Sequence, residues 1–347
     1  MAQIDKPNTY FNPVLYTGNG SDGHAITGVG FQSDMTWIKQ RSGTEDHCIF
    51  DVVRGSTERL SPNTTSASWD SSTNVQSFDS DGFTLGTSNQ LNASSATQVS
   101  WNWKAGGTAV SNTDGSITSS VSANQTAGFS IVTYTGTESA ATVGHGLGSA
   151  PKMIIAKQYS GAADWKVLPP VLGATRWLKL NTTDAAGTSA GNWNNTSPTS
   201  SVFSLGNDAG INGSGQSHVA YCFAEKKGFS KFGSYVGNGS ADGTFCFTGM
   251  KPAFVMVKKS SASGGNWVTS DIARSDVPNA NVNDQVLYPN LSNSEESSSG
   301  LSVDLVSNGF KVRGTGGDRN TSGATYIYMA FAENPLVGTN GVPATAR

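Results

Sequence analysis

The sequence predicts an all-β protein built from three tandem β-sandwich (jelly-roll-like) repeats of about 100 residues each. Three observations carry that reading. A set of anchors recurs in order along the chain: Tyr16-Thr17-Gly18, Tyr134-Thr135-Gly136 and Tyr235-Val236-Gly237, each followed 23 residues after its Tyr by Lys39, Lys157 or Lys258. Each copy closes on an alternating apolar run, Val99/Trp101/Trp103, Val219/Tyr221/Phe223 or Ile327/Met329/Phe331, the period-two signature of a strand. Between the apolar runs lie Asn-Gly and Asp-Gly pairs such as Asn19-Gly20, Asp81-Gly82, Asn238-Gly239 and Asn308-Gly309, which supply the positive φ that tight turns require.

Residues 1–8 read as an N-terminal arm and residues 9–107 as the first sandwich. Its Met35 to Lys39 segment is continuously apolar up to the Lys, as expected of a strand covered on both faces; Met153 to Lys157 and Phe254 to Lys258 repeat it. A Phe-containing turn follows in each copy, at Phe83, Phe203 and Phe310, with an Asn nine, nine and ten residues later at Asn92, Asn212 and Asn320. Residues 108–127 form a Ser/Thr-rich linker, in which Ile117 and Val121 predict partial packing. The second sandwich spans 128–227 and abuts the third, 228–336; residues 337–347 read as a tail. No window of eleven or more residues has a helical period. The alternating closing runs predict strands with one face buried, and the centre of each copy, where length and sequence vary most, predicts the binding loops.

Composition narrows the function. Charged residues make up 14% of the chain, against roughly 25% in ordinary soluble domains, so the polar surface is carried by Ser, Thr and Asn. A net charge of −3 without a basic stripe speaks against nucleic acid as a partner. No apolar stretch approaches membrane-spanning length, and the first residues lack the pattern of a secretion signal. Cys48, Cys222 and Cys246 fall at non-equivalent places in the copies, which predicts free, buried thiols.

Chemistry is sparsely encoded. Gly18 to Gly23 matches a dinucleotide fingerprint in letters, but no helix follows it to receive a phosphate. Asp79-Ser80-Asp81-Gly82 begins like a calcium loop and lacks its terminal Glu; the four His residues have no zinc spacing. There is no nucleophile elbow, and neither Asp46/His47 nor the run Asp51 to Arg54 has an evident counterpart in the other copies. No catalytic residue, metal or cofactor is therefore expected. The candidate ligand-binding residues are Trp69, Trp165, Trp193 and Trp267, in or beside the variable segments among Ser, Asn and Gly. An indole there either stacks on a sugar or caps the sandwich end.

Residues Val29 to Lys39, His47 to Gly55, Phe78 to Gly86 and Trp101 to Gly106, together with Ala127 to Gly136 and His145 to Lys152, resemble a repeat domain of tailed-bacteriophage structural proteins, common in marine phages of cyanobacteria. The resemblance runs from about Tyr10 to Pro335. It implies a concanavalin-like jelly roll and a location on the virion surface, as a tail fibre or appendage contacting host-surface glycans. The alternative it leaves is a head decoration or tail-assembly protein binding neighbouring virion subunits. Other virion proteins and a host glycan or receptor are the partners it implies, with homo-oligomeric assembly and no membrane insertion. A secreted polysaccharide-degrading enzyme is the remaining, least favoured class.

Overall fold

The computed structural model describes residues 4–275 and 281–338. Residues 1–3 of the expected arm and 339–347 of the expected tail lie outside them. The chain is all-β, and among the described residues the paired strands are antiparallel and the helices are four-residue α-helices and three-residue 3-10 turns. Each third builds a large sheet in one and the same order. In the first this runs Phe11–Thr17, Thr97–Trp103, Met35–Gln40, Cys48–Asp51, Gly55–Leu60, Trp69–Asp70. The second places Phe129–Thr135, Ser217–Phe223, Met153–Gln158, Lys166–Leu168, Arg176–Lys179 and Gly187–Thr188 in the corresponding positions. Ser230–Val236, Thr325–Pro335, Met250–Lys259 and Trp267–Asp271 form the third. Against each lies a smaller sheet containing the Phe turn: Gly82–Leu85, Val202–Leu205 or Gly309–Val312.

The units do not stand in series. Their large sheets face one another around one shared core, which takes Trp37, Trp101 and Trp103 from the first unit, Ile155, Tyr221 and Phe223 from the second, and Phe254, Met329 and Phe331 from the third. Aromatic rings from all three meet at its centre: Phe11 stacks on Phe331 at 4.9 Å, and Trp103 lies edge-on to both Phe223 and Phe331. Each unit also keeps a private core between its two sheets, holding Ile38 and Phe83, Ala156 and Phe203, or Val257 and Phe310.

This corrects the one-sided reading of the closing strands. In Ser217–Phe223 the odd residues Val219, Tyr221 and Phe223 enter the shared core, while Ala220 and Cys222 enter the private one. Ile327/Met329/Phe331 and Tyr326/Tyr328/Ala330 divide in the same way. In the first unit the second face is polar yet buried: Asn102 accepts from Thr36 Oγ1 and donates to the Asn12 carbonyl. Burial of both faces follows from each large sheet being sandwiched between two layers.

The Ser/Thr-rich segment 108–127 is ordered as well. Val110–Asn112 and Ser119–Asn124 pair with each other, and Ser119–Asn124 pairs along Phe129–Thr135, extending the second sheet. Val121 and Ile117 are buried in the private core of the second unit. In the arm, Ile4 joins the shared core. All three cysteines are free and buried.

Candidate functional site

The four expected ligand-binding tryptophans have different environments. Trp165 and Trp267 are buried at the boundaries between units, 0% and 1% exposed, which overturns them as surface stacking platforms. The Trp165 indole N–H donates to the Ser61 carbonyl of the first unit (3.0 Å), and that of Trp267 to the Lys179 carbonyl of the second (2.8 Å). At the third boundary His47 stands in the same place, its Nε2 3.0 Å from the Tyr288 carbonyl, with Trp37 Nε1 donating to its Nδ1. Burial pushes the His47 pKa well below the ordinary range, so the ring is neutral. Each of these three residues takes its backbone N–H to an Asn side chain, Asn63, Asn181 or Asn290. Those Asn side chains in turn donate to Asp46, Asp164 or Asn266.

The boundaries close into a ring. Ser68 N–H donates to the Tyr159 carbonyl, Ala186 N–H to that of Ser260, and Glu295 N–H to that of Arg41, linking first to second, second to third and third back to first. The repeated lysines sit beside these links. Lys157 Nζ donates to the carbonyls of Thr65, Gln158 and Gly161, and Lys258 Nζ to those of Thr183 and Lys259. Lys39 Nζ donates to Gln40 and Gly43. All three are fully buried, and burial pushes each ammonium down to about 8.

The Asp51 to Arg54 run has a counterpart after all. Asp271-Ile272-Ala273-Arg274 repeats it, with Arg Nε to Asp Oδ2 at 2.6 Å in both. Tyr221 Oη donates to Asp51 Oδ2 (2.8 Å), and Trp101 Nε1 to Asp271 Oδ2 (2.9 Å), each across a unit boundary. In the second unit the matching position is Pro169, and the residue equivalent to Tyr221 and Trp101 is Met329, which has no N–H or O–H to give. Donor and acceptor are thus both present or both replaced, which leaves no buried polar group stranded. These carboxylates are structural.

Trp193 is 1% exposed and packs in the second private core beside Phe203, so it too is overturned as a surface platform. Trp69 is the one of the four at the surface, 54% exposed on a short edge strand. The Arg59 guanidinium from the paired strand lies 4.5 Å from its ring centroid. Sequence reasoning passed over a second cation-paired indole, Trp177, half-buried against the private core of the second unit with Lys166 Nζ 4.1 Å from its centroid. The alternation Arg176-Trp177-Leu178-Lys179 was its available signal, since Leu178 enters the shared core and puts Trp177 on the opposite face, against the private core of the second unit.

The remaining repeated anchors hold turns. Asn92, Asn212 and Asn320 end equivalent short helices. Each donates to a turn carbonyl, that of Ser21, Ser139 or Ser240, and accepts from the backbone N–H of Asn19, Thr137 or Asn238. The glycine-rich Gly18 to Gly23 segment is therefore a pinned surface turn. Among the described residues, no three His, Cys, Asp or Glu side chains converge as metal ligands.

The model of a domain of unknown function, DUF7483, matches residues 6–335. The chain belongs to that family. The match spans all three units, and in the structure the DUF7483 region is one ring around one shared core. No curated protein and no solved structure matches the chain.

Proposed function

We propose that this protein is a non-catalytic structural protein on the surface of a tailed-bacteriophage particle, a tail fibre or appendage that contacts host-surface glycans. The observation that carries this reading is the division of labour among the side chains. The repeated polar and aromatic residues hold the ring together, and of the four candidate tryptophans only Trp69 is left at the surface. Three similar scaffolds with unlike outer loops suit display, where weak contacts add by multivalency. The glycan contact is placed at Trp69, whose exposed indole is steadied by Arg59 and offers an apolar surface to a pyranose ring. Purified protein should compete with particles for adsorption to susceptible cells, and Trp69→Ala should weaken that competition. A folded Trp69→Ala protein that competes as well as the parent removes the glycan contact from Trp69.

One feature favours a second reading, a head decoration or tail-assembly protein bound to neighbouring virion subunits. Phe245 and Phe247 are 45% and 58% exposed on an edge strand of the third unit. Particle imaging separates the two, by density on the tail or on the head.

A further inference from the structure

We propose that the third unit carries an acceptor groove for an extended strand from another polypeptide, an uncharged segment with small or β-branched residues at alternate positions. The structure contains the occupied form of the same groove. In the second unit, residues 108–127 cross the open side of the sandwich. The Ile117 N–H bonds the Thr142 carbonyl, Ser119 Oγ the Gly144 carbonyl and Gln125 Nε2 the Gly146 carbonyl, all at the edge of the small sheet. Ser119–Asn124 then pairs with the large-sheet edge strand Phe129–Thr135. The covering side chains fill the gap so closely that a Cβ on Gly146 would lie 3.1 Å from both Val121 and Ala123.

The third unit has the same two edges, and among the described residues no strand runs across them: the Leu336 N–H bonds the Gly249 carbonyl, Glu225 Oε2 accepts from the Phe232 N–H and Thr244 Oγ1 donates to the Val236 carbonyl. Cys246 pairs with Phe310 as Val143 pairs with Phe203, which sets Gly249 in the place of Gly146. Both glycines are left-handed, at φ +71° and +69°. A Cβ on Gly249 would meet only the Phe247 ring, at 3.7 Å. Where Val121 and Ala123 sit in the second unit, the third has a groove of about 510 Å³ lined by Ser230, Lys231, Phe247, Thr248, Gly249 and Val337. The large-sheet edge there is Ser230–Val236. The bonds from Phe229 and Gly237 to the neighbouring strand fix the alternation, so that Ser234 turns its N–H and C=O outward, unpartnered among the described residues. Phe245 and Phe247 correspond to Thr142 and Gly144, the two residues that the covering segment overlies in the second unit.

The first unit closes the same edge differently. Its strand Phe11–Thr17 has Pro13 on the outward-bonding side, where the missing N–H prevents a continuous ladder, and Asn12 Nδ2 ties the edge to the Gly28 and Val29 carbonyls. One edge is therefore blocked, one covered, and one, among the described residues, left open at Ser234 with two exposed phenylalanines beside it. An edge with free backbone groups beside a groove, here walled by Phe247 and Val337 with Glu225, Lys227 and Lys231 also lining it, is the arrangement that accepts an added strand: its backbone supplies the affinity and its groove selects the side chains. The assignment rests on the fold and holds whichever particle or surface the protein serves.

The test uses the full chain and, as probe, a synthetic peptide copying residues 108–127, the segment that fills the equivalent place in the second unit. Hydrogen exchange read by mass spectrometry should slow across residues 230–236 and 245–249 on adding peptide. Ser234→Pro and the surface change Phe247→Asp should each lower peptide affinity about tenfold, or 1.4 kcal/mol, with Phe247→Asp deciding the matter if Ser234→Pro does not fold. Absence of protection, protection at other residues, or binding that survives Phe247→Asp overturns the proposal. Self-association in sedimentation that Phe247→Asp abolishes also overturns it, because the occupant is then a second copy of this chain.

Discussion

Tyr221 and Asp51 lie 170 residues apart and meet across a unit boundary, the phenol donating to a carboxylate oxygen that Arg54 also holds. The same bond recurs between Trp101 and Asp271 beside Arg274. Where one boundary lacks the donor it also lacks the acid. A polar contact inside an aromatic core is tolerable only when complete, and the chain keeps it complete or omits both partners.

Asp51→Ala should therefore be far more damaging than Tyr221→Phe. Removing the carboxylate strands the Arg54 guanidinium, whose side chain is 1% exposed, and a charge left alone in that way costs about 3–5 kcal/mol. Tyr221→Phe leaves Asp51 with Arg54 and loses one hydrogen bond, about 1.5–3 kcal/mol. Urea unfolding of the two variants measures both; equal losses would show that Arg54 is relieved by solvent.

Trp165→Phe and Trp267→Phe test the boundary role directly. Each keeps a ring but abandons a neighbouring unit's carbonyl, so each should lose about 1–3 kcal/mol in chemical denaturation, with glycan binding unaffected. A variant that unfolds like the parent but no longer binds sugar would reinstate the tryptophan as a ligand contact.

The buried lysines give stability an alkaline signature. Their folded pKa, about 8, is below the unfolded value of 10.5, so above pH 8 the unfolded chain binds more protons than the folded one. Their term destabilises the fold at neutral pH and is relieved as pH rises. Stability should climb from pH 8 towards 9, then fall at higher pH as the buried Cys48, Cys222 and Cys246 thiols and the buried phenols of Tyr16, Tyr134, Tyr221 and Tyr235, held protonated by burial, oppose ionisation. At the acid end His218, lowered to about 4 by burial, removes stability as pH drops below 6.5. Denaturation midpoints between pH 7 and 9 should rise in the parent and rise less in Lys157→Met.

Gly146→Ala and Gly249→Ala form a matched pair. Both place a Cβ on left-handed backbone, a common penalty of about 1 kcal/mol. Only at Gly146 does the methyl also meet packed side chains, so thermal unfolding should show the larger loss there. Equal losses would mean that the third groove is as full as the second.

The fold was legible where it depends on local pattern. Alternation identified Ser217–Phe223 as a strand, and the Lys runs as strands with two covered faces. What lies opposite a face is not a local property, so Val219, Tyr221 and Phe223 could not be assigned to a core shared by three units. The tryptophans failed for the same reason. Trp165 and Trp267 lie among polar residues in sequence because the carbonyls they bond belong to the next unit. Asp271 to Arg274 escaped notice because Pro169 interrupts the pattern in the copy between; the fixed step of four residues from His47 to Asp51 and from Trp267 to Asp271 was the available sign. Trp69 was legible as exposed, and the cation beside it was not, since Arg59 reaches it through strand pairing.

Two of the ring's three boundaries join units that are consecutive in the chain. The third is fastened by Arg41, Glu295 and Arg274, with Arg41 and Glu295 separated by 254 positions in the chain. That clasp joins the first unit to the third and closes a long loop of chain, so closure is the late, slow event in folding. It is also the place where the ring can spring open without any strand leaving its sheet. Weakening it with Glu295→Gln should speed opening and leave each sandwich intact.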